Sequence, residues 1–274
     1  MPLLIMLIEI MKNFESCIVD LRELCIDIGK IQIDNQCNLI IKTKSDESPV
    51  TNIDLLSSNM IVDYLHSRFP EDVIISEESK EKTAVNNSYW LVDPIDGTKD
   101  YIKGGNQFCI CIAYVESGYP IFGVIYIPST NEFFYAIKNI GSYLIKGRNS
   151  KVEMNSSTSA DNCIYLSTTI RTNVMNILKE NFPQTKFVFM SSAVKFSRIA
   201  ENKGHFSMRL GPTYEWDTAA GQCIVEESGG IFLDKNLQRF SYGLDKQFLN
   251  GPFFIIKGDL SHYEESINQC LSLI

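Results

Sequence analysis

The chain has few histidines and no C-x-x-C pair of the kind common in zinc sites. Its 274 residues include three histidines, His66, His205 and His262, which are far apart, and eight scattered cysteines without a C-x-x-C pair. A histidine-rich metal site, a Ser-His-Asp triad and a disulfide framework are therefore weakly supported. The scatter is typical of buried thiols in a reducing compartment. Cys109 and Cys111 alternate in an apolar run, so we expect both to pack in the core.

The sequence also lacks an excess of basic residues and a long apolar run. Lys and Arg number 25 against 33 Asp and Glu, a net charge of -8. This argues against a nucleic-acid polymer as partner, because phosphate backbones favour a basic surface. A small phosphorylated molecule stays open, since a bound metal ion supplies positive charge locally. The apolar residues 1–10 are shorter than the roughly 20 residues of a membrane span and lack signal-peptide features. We expect a cytoplasmic protein.

Apolar spacing in the first half predicts two helices followed by an antiparallel sheet. Helical spacing covers about residues 12–30, and a second helix is expected from a cap at Thr51 or Asn52 to Pro70. We expect six apolar residues of that second helix to face the core: Leu55, Leu56, Met60, Ile61, Tyr64 and Leu65. Alternating apolar segments then predict strands, with tight turns at residues 117–118 and 129–130.

The second half alternates strands with helices, which predicts an α/β arrangement. Polar residues 146–162 form the best internal boundary. We expect an N-terminal half at 1–148 and a C-terminal half at 149–274, with Asp217 at the start of a helix in the second. With 45% hydrophobic residues, the halves are expected to form one structural unit with the active site between them.

Three segments place carboxylates directly after an apolar or aromatic stretch. They contain Glu77 and Glu78, then Asp93 and Asp96, then Asp217. Any one of them alone would more often be a capped turn or a solvated acidic pair. Together they predict a divalent metal site, because crowded carboxylates in a cleft are costly without a cation and Mg²⁺ takes oxygen ligands beside substrate phosphate.

The residues after Asp96 indicate an anion site. Gly97 lets a phosphate approach the backbone, and a helix beginning near Thr98 would point free N–H groups at an anion. The turn can also direct the Ile95 carbonyl inward. A metal site and a phosphate site are thus predicted side by side.

The motifs "SEES", "DPIDGT" and "WDTAAG" resemble the inositol monophosphatase superfamily of Mg²⁺-dependent, lithium-sensitive phosphatases. The segments "SPVTNID", "SSAVKFSRIAE" and "RLGPTYEWDTAAG" look like its CysQ branch, the 3'(2'),5'-bisphosphate nucleotidases, over roughly residues 14–257. The resemblance implies a layered α/β/α/β sandwich of the sugar-phosphatase type, of class α+β or α/β. It also implies Mg²⁺-dependent hydrolysis of adenosine 3',5'-bisphosphate to AMP and phosphate.

The resemblance implies roles for individual residues. Asp54 and Thr98 would orient and deprotonate the attacking water. The amides of Gly97 and Thr98 would hold the phosphate, and Ser192, Lys195 and Arg209 would grip the nucleotide and its second phosphate. Two or three Mg²⁺ ions, replaceable by inhibitory Li⁺, would have five ligands: Glu77, Asp93, the Ile95 carbonyl, Asp96 and Asp217. All of these except Asp93 would also border the substrate.

Two departures from the family pattern bear on the site, one on the packing near Asp54 and the other, in a loop that borders the site, on substrate choice. Ile53 stands where alanine is usual before Asp54, and the loop 101–108 differs from the usual sequence. Inositol-1-monophosphatase is therefore the rival activity, and a metal- or nucleotide-binding regulator without turnover is the rival of another class. The resemblance also allows a homodimer and peripheral association with the inner face of the cell membrane.

Overall fold

The structure is a computed structural model that describes residues 2–44, 46–79, 87–147, 150–155, 161–243 and 247–274. For residues 2–13 it describes the backbone alone. The α-helices in these ranges are α1 Pro2–Asn35, α2 Asn52–Arg68, α3 Thr98–Ile102, α4 Thr172–Asn181, α5 Val194–Ala200, α6 Ala219–Glu227 and α7 Glu264–Leu271.

Sixteen β-strands lie in the same ranges. They are β1 Ile41–Thr43, β2 Pro49–Thr51, β3 Ile74–Ser76, β4 Ser88–Asp96, β5 Cys109–Glu116, β6 Tyr119–Ile127, β7 Glu132–Ile137, β8 Gly141–Lys146, β9 Ser150–Met154, β10 Cys163–Leu166, β11 Lys186–Phe189, β12 Phe206–Arg209, β13 Thr213–Tyr214, β14 Ile231–Asp234, β15 Leu249–Asn250 and β16 Phe253–Ile256.

Two sheets organise the molecule. The larger has seven strands in the order β3-β4-β5-β6-β7-β8-β9, with β3 parallel to β4 and the other pairs antiparallel. The smaller has five strands in the order β11-β10-β12-β16-β14, with β10 parallel to both of its neighbours. Two short hairpin-like pairs, β1-β2 and β13-β15, lie outside these sheets.

Helices α1 and α2 cover one face of the seven-stranded sheet. The cluster between them buries Phe14, Leu21 and Ile61 from the helices against Trp90 and Phe122 from the strands. The opposite face packs on α5 and α6, which in turn contact the five-stranded sheet. Helices α4 and α7 cover its other face. The predicted four layers are therefore present, and α4 and α7 add a fifth, outer layer.

Several local predictions are corrected by the structure. Helix α1 extends beyond both predicted ends, and Leu55 and Leu56 are exposed while Ile61 and Leu65 are buried, because the buried side of α2 also carries polar residues. The turn expected at residues 129–130 is a 3-10 turn, Pro128–Thr130.

The predicted boundary between the halves falls within a strand hairpin. Strand β9 pairs with β8, so the seven-stranded sheet runs past the predicted boundary to Met154. Asp217 ends a 3-10 turn, Glu215–Asp217, rather than starting a helix, and α6 begins at Ala219. The expected burial of Cys109 and Cys111 is confirmed. Within the described ranges, no helix combines the length and apolar character needed to cross a membrane.

Candidate active site

A break in the pairing of β4 brings two carboxylates to one place. Asp93 pairs with Cys111 and Asp96 with Cys109, and the register shifts between them at a bulge. Pro94 lies in this bulge, where its missing N–H costs no ladder hydrogen bond. Bulges redirect side chains, and here Asp93 and Asp96 meet Asp217 from the 3-10 turn. Carboxylate oxygens of these three residues lie within 4.8 Å of one another.

A backbone amide fixes each of the three carboxylates. The amide of Ile95 donates to Asp93 Oδ1 at 3.0 Å, and the amide of Tyr214 donates to Asp217 Oδ2 at 2.9 Å. The Ala193 amide donates to Asp96 Oδ2. The first two contacts are local turns that orient Asp93 and Asp217, whereas the Ala193 amide reaches Asp96 from a distant part of the chain.

The electrostatics of the three carboxylates favour a bound cation. Burial and repulsion from neighbouring carboxylates raise the pKa of Asp93 and of Asp217 well above the ordinary value. Burial also raises the pKa of Asp96 to about 6, although the nearby Lys195 charge lowers it. A divalent cation would remove this repulsion, and hard oxygen donors are those that Mg²⁺ prefers. The residues therefore fit a magnesium ion.

Glu77 is paired with Lys44, a residue that the sequence motifs did not single out. Lys44 Nζ lies 2.6 Å from Glu77 Oε1 and 2.7 Å from Glu78 Oε1. Burial lowers the pKa of Lys44, but the two carboxylates outweigh burial and raise it. The charge of Glu77 in turn raises the pKa of Asp93, so Glu77 borders the cluster while paired with Lys44.

The predicted Asp54–Thr98 pair is in contact. Thr98 Oγ1 lies 3.2 Å from Asp54 Oδ1 and 2.9 Å from the Ile95 carbonyl oxygen. The other carboxylate oxygen of Asp54 accepts hydrogen bonds from the hydroxyl and the amide of Thr51, which caps α2. The capping box thus fixes Asp54 with one oxygen directed at Thr98.

Gly97 occupies a position that no other residue fits without strain. Its φ is 97°, in the left-handed region that favours glycine. A Cβ there would lie 2.8 Å from the Gln107 carbonyl oxygen and 3.2 Å from Ser192 Cβ. The backbone therefore packs closely at the start of α3, beside the carboxylate cluster.

A cavity of about 300 Å³ extends from the cluster to the smaller sheet. Asp96 and Asp217 line it together with Lys195 and Arg209. Lys195 is buried, its Nζ donates to the Ser192 carbonyl at 2.8 Å, and burial lowers its pKa. Arg209 Nη1 donates to Ser167 Oγ at 3.0 Å. Two cationic side chains thus share a cavity with two carboxylates of the cluster.

The structure brings most of the predicted residues together and adds three that sequence reasoning missed. Ser192 is buried beside Gly97 and contributes its carbonyl to Lys195. The added residues are Lys44, Ser167 and Cys109, whose Sγ lies 3.7 Å from Asp96 Oδ2. None of them belongs to an acidic motif, and only tertiary contacts reveal them.

Comparison with known proteins identifies the family. A model of the inositol monophosphatase family matches residues 16–267. The chain belongs to the inositol monophosphatase family. The family predicted from the motifs is confirmed, and so is the layered fold, since solved structures of this family superpose on most of the chain. One is the Thermotoga maritima IMPase, with a TM-score of 0.76, 23% identity and coverage of 94% of this chain and 99% of the other.

Relatives named as nucleotidases cover most of the sequence. The 3'(2'),5'-bisphosphate nucleotidase CysQ of Aggregatibacter actinomycetemcomitans is 32% identical over 226 residues, which are 80% of this chain and 84% of that protein. CysQ of Escherichia coli K12 is 31% identical over 78% of this chain and 87% of that protein. The CysQ structure from Bacteroides thetaiotaomicron has a TM-score of 0.71, 25% identity and coverage of 88% and 98%. An IMPase/NADP phosphatase complexed with Mg²⁺ and phosphate has a TM-score of 0.77, 20% identity and 95% coverage of both chains.

Proposed function

We propose that this chain is a Mg²⁺-dependent 3'(2'),5'-bisphosphate nucleotidase that converts adenosine 3',5'-bisphosphate to AMP and phosphate. The observation that carries the proposal is the shared cavity, in which Lys195 and Arg209 line the same space as Asp96 and Asp217. A bisphosphate needs one phosphate at the metal cluster and positive charge for the other. An inositol monophosphate has no second phosphate for these cations. The names of the CysQ relatives agree with this choice.

The carboxylates Asp93, Asp96 and Asp217, with Glu77 and the Ile95 carbonyl, would hold two or three Mg²⁺ ions. When bound, Mg²⁺ supplies activation of the attacking water and neutralisation of charge on the leaving oxygen. Glu77 is paired with Lys44 through Oε1 in the structure, so Lys44 would offset part of the negative charge of this ligand set. A small monovalent Li⁺ would occupy a Mg²⁺ position and stabilise the leaving oxygen less well, so we expect inhibition opposed by Mg²⁺.

Asp54 and Thr98 would act on the attacking water. In this role Thr98 Oγ1 would accept the water proton as it gives its own hydroxyl proton to Asp54 Oδ1, 3.2 Å away, which also orients the hydroxyl. The Thr51 contacts keep Asp54 from turning away. A water held in line with the scissile bond is the main requirement of phosphoryl transfer, in which positioning and electrostatics supply most of the rate.

Gly97 and Thr98 would present backbone amides to the reacting phosphate. The close packing of Gly97 against residues 107 and 192 fixes this segment, and α3 begins at Thr98. Lys195 and Arg209 would bind the phosphate that does not react, with charge-assisted hydrogen bonds that fix the nucleotide's direction. The reacting ester is thereby kept at the carboxylate end of the cavity.

The site and the composition fit a protein of the cytoplasm. The eight cysteines in the described residues are free thiols, as expected in a reducing compartment. Dimer formation and peripheral attachment to a membrane stay predictions of the family resemblance.

The proposal is tested by comparing kcat/KM for adenosine 3',5'-bisphosphate and inositol 1-phosphate at saturating Mg²⁺, each with a parallel EDTA sample. We expect a preference for the bisphosphate of at least about 10-fold, corresponding to one charge-assisted contact. A preference for inositol 1-phosphate would favour the rival activity. Tight Mg²⁺-dependent nucleotide binding without release of phosphate would indicate a regulator instead.

A further inference from the structure

A pair of contacting thiols lies beside one carboxylate of the proposed magnesium cluster. Cys109 and Cys111 are two residues apart on β5, so both side chains lie on the same face of the sheet, the face that carries Asp96. Cys109 Sγ is 3.7 Å from Asp96 Oδ2 and 3.9 Å from Cys111 Sγ. Ligand atoms of all three residues lie within 4.8 Å of one another.

The spacing of these atoms matches a tetrahedral zinc site. With a Zn–S bond of about 2.3 Å, two sulfurs at the tetrahedral angle lie about 3.8 Å apart, and a sulfur and a carboxylate oxygen lie about 3.5 Å apart. The observed separations are 3.9 Å and 3.7 Å. These two separations need to change by only a few tenths of an ångström. The third, between Cys111 and Asp96, lies within 4.8 Å and would close by up to about 1.3 Å through side-chain rotation, since β5 is paired on both sides.

Other buried thiols of the chain have different surroundings. Cys17 Sγ donates to the Phe14 carbonyl, and Cys223 Sγ donates to the Ala136 carbonyl, which is how a thiol in a core is ordinarily satisfied. Cys109 contacts both the Asp96 carboxylate and the Cys111 thiol. A buried carboxylate is an unfavourable neighbour for a thiol in an ordinary core. Together, the two thiols and the carboxylate are a favourable set of ligands for a soft divalent cation.

We propose that Cys109, Cys111 and Asp96 form a second metal site that binds Zn²⁺ or another thiophilic divalent cation. The cation enters through the cavity, since Asp96 lines it, and its fourth position is open to water or substrate on that side. The hydrogen bond from the Ala193 amide holds Asp96 from outside the site, as outer partners of metal ligands do. Each thiol gives its proton to solvent as it coordinates, so two thiolates and one carboxylate surround the dication and leave the site with a net charge of about -1.

Asp96 belongs to both sites, and this makes the zinc site inhibitory. A carboxylate that is bound to zinc beside β5 cannot also complete the magnesium cluster. Zinc is thus expected to compete with Mg²⁺, and the inhibition is a consequence of the proposed function, whereas zinc binding itself is independent of that function.

Binding is tested without substrate by titrating Co²⁺ into chelator-treated protein and following the thiolate-to-cobalt charge-transfer absorption. The wild-type chain should develop this absorption with one Co²⁺, and Zn²⁺ should displace it. Cys109→Ser and Cys111→Ser should each weaken Co²⁺ binding at least about 10-fold, because even the loss of an outer partner of a metal ligand costs 10–100-fold. Cys223→Ser, a buried thiol elsewhere, is the matched control and should leave the titration unchanged.

The absence of thiolate absorption in the folded wild-type chain would overturn the proposal, as would absorption that both serine variants retain. If a serine variant does not melt cooperatively, Cys111→Ala replaces it, since alanine buries no new polar atom.

Inhibition gives a second readout, in which each variant is compared with its own activity in Mg²⁺ alone. The Zn²⁺ concentration for half inhibition should rise at least about 10-fold in Cys111→Ser and should increase with Mg²⁺ in the wild type. Inhibition by Ca²⁺, which takes oxygen ligands, should be the same in the wild type and in Cys111→Ser. Equal Zn²⁺ inhibition of wild type and variant would mean that zinc acts at the oxygen cluster alone and would overturn the inhibitory role.

Discussion

At the scale of single residues, Asp96 is where the contacts of the site converge. Its carboxylate accepts from the Ala193 amide, lies against the Cys109 thiol, and is stabilised by the charge of Lys195. The motif that contains Asp96 is visible in the sequence because its residues are consecutive. Its neighbours are distant in the chain, and for that reason only the three-dimensional structure connects Asp96 to Cys109.

Asp96→Asn should abolish turnover and leave the fold intact. Asparagine keeps the shape of the side chain and can still accept from the Ala193 amide, but it removes a negative charge from the cation site. We expect kcat to fall by about 100-fold or more, with no decrease in the melting temperature measured in EDTA. Asp27→Asn, at an exposed position on α1, is the control. Near-normal activity of Asp96→Asn would exclude Asp96 from the ligand set.

Arg209→Gln should separate recognition of the substrate from its cleavage. Arg209 lines the cavity and is hydrogen-bonded to Ser167. Lys195 also lines the cavity, but its charge lowers the pKa of Asp96, so replacing Lys195 would disturb the metal cluster as well as the substrate contact. Loss of one charged contact worth about 1.5–3 kcal/mol lowers kcat/KM for the bisphosphate roughly 10–150-fold.

The readout for Arg209→Gln is the ratio of kcat/KM for two substrates, the bisphosphate and a simple phosphomonoester. In Arg209→Gln, hydrolysis of a simple phosphomonoester without a nucleotide should continue at nearly the wild-type rate. The control Arg239→Gln, at a partly exposed position paired with Glu226, should change the hydrolysis of neither substrate. A parallel fall for both substrates would assign Arg209 to the fold, and unchanged rates for both substrates would remove it from the substrate contacts.

At the scale of elements, helix α2 illustrates what apolar spacing can and cannot predict. Its extent was predictable from Thr51 and from Pro70, but its buried side was not. Asp54, Ser57 and Ser58 are buried on that helix while Leu55 and Leu56 are exposed. Periodicity predicts burial from apolarity, and it fails where a helix presents polar side chains to a functional site.

Glu132 connects α5, which carries Lys195, to the seven-stranded sheet. Its carboxylate accepts from Arg198 of α5 and Lys146 of β8 at 2.7 Å and 2.8 Å. Burial raises the pKa of Glu132, but these hydrogen bonds outweigh burial and hold the pKa at about 2, below the ordinary value of 4.5. The charged form therefore stabilises the fold above pH 4.5, and this contribution is lost as the pH falls toward 2.

Glu132→Gln should consequently destabilise the protein in a pH-dependent way. A pKa difference of this size corresponds to about 3 kcal/mol at neutral pH. Urea unfolding of the wild type and of Glu132→Gln at pH 7 should give free energies of unfolding that differ by this amount. The difference should shrink steadily from pH 4.5 to pH 3. Glu264→Gln, in the first turn of α7, serves as control. A difference that does not depend on pH would mean that Glu132 acts through packing and not through its charge.

At the scale of the whole molecule, the site lies where the two sheets and the helices between them meet. The end of β4, the start of α2, the segment before α5 and the 3-10 turn before α6 each supply part of it. The sequence predicted the alternation of elements and the motifs at their ends. The pairing of β9 with β8 and the outer layer of α4 and α7 depend on long-range contacts, so they could not be predicted from local patterns.

The most direct test of the account follows the products of adenosine 3',5'-bisphosphate by chromatography together with phosphate release. With Mg²⁺ the wild-type chain should produce AMP and phosphate in equal amounts, with EDTA it should produce neither, and Asp96→Asn with Mg²⁺ should remain near the EDTA level. Such a result would support cleavage at the carboxylate cluster with the second phosphate retained. Undiminished release of phosphate in EDTA, or full activity of Asp96→Asn, would contradict the account.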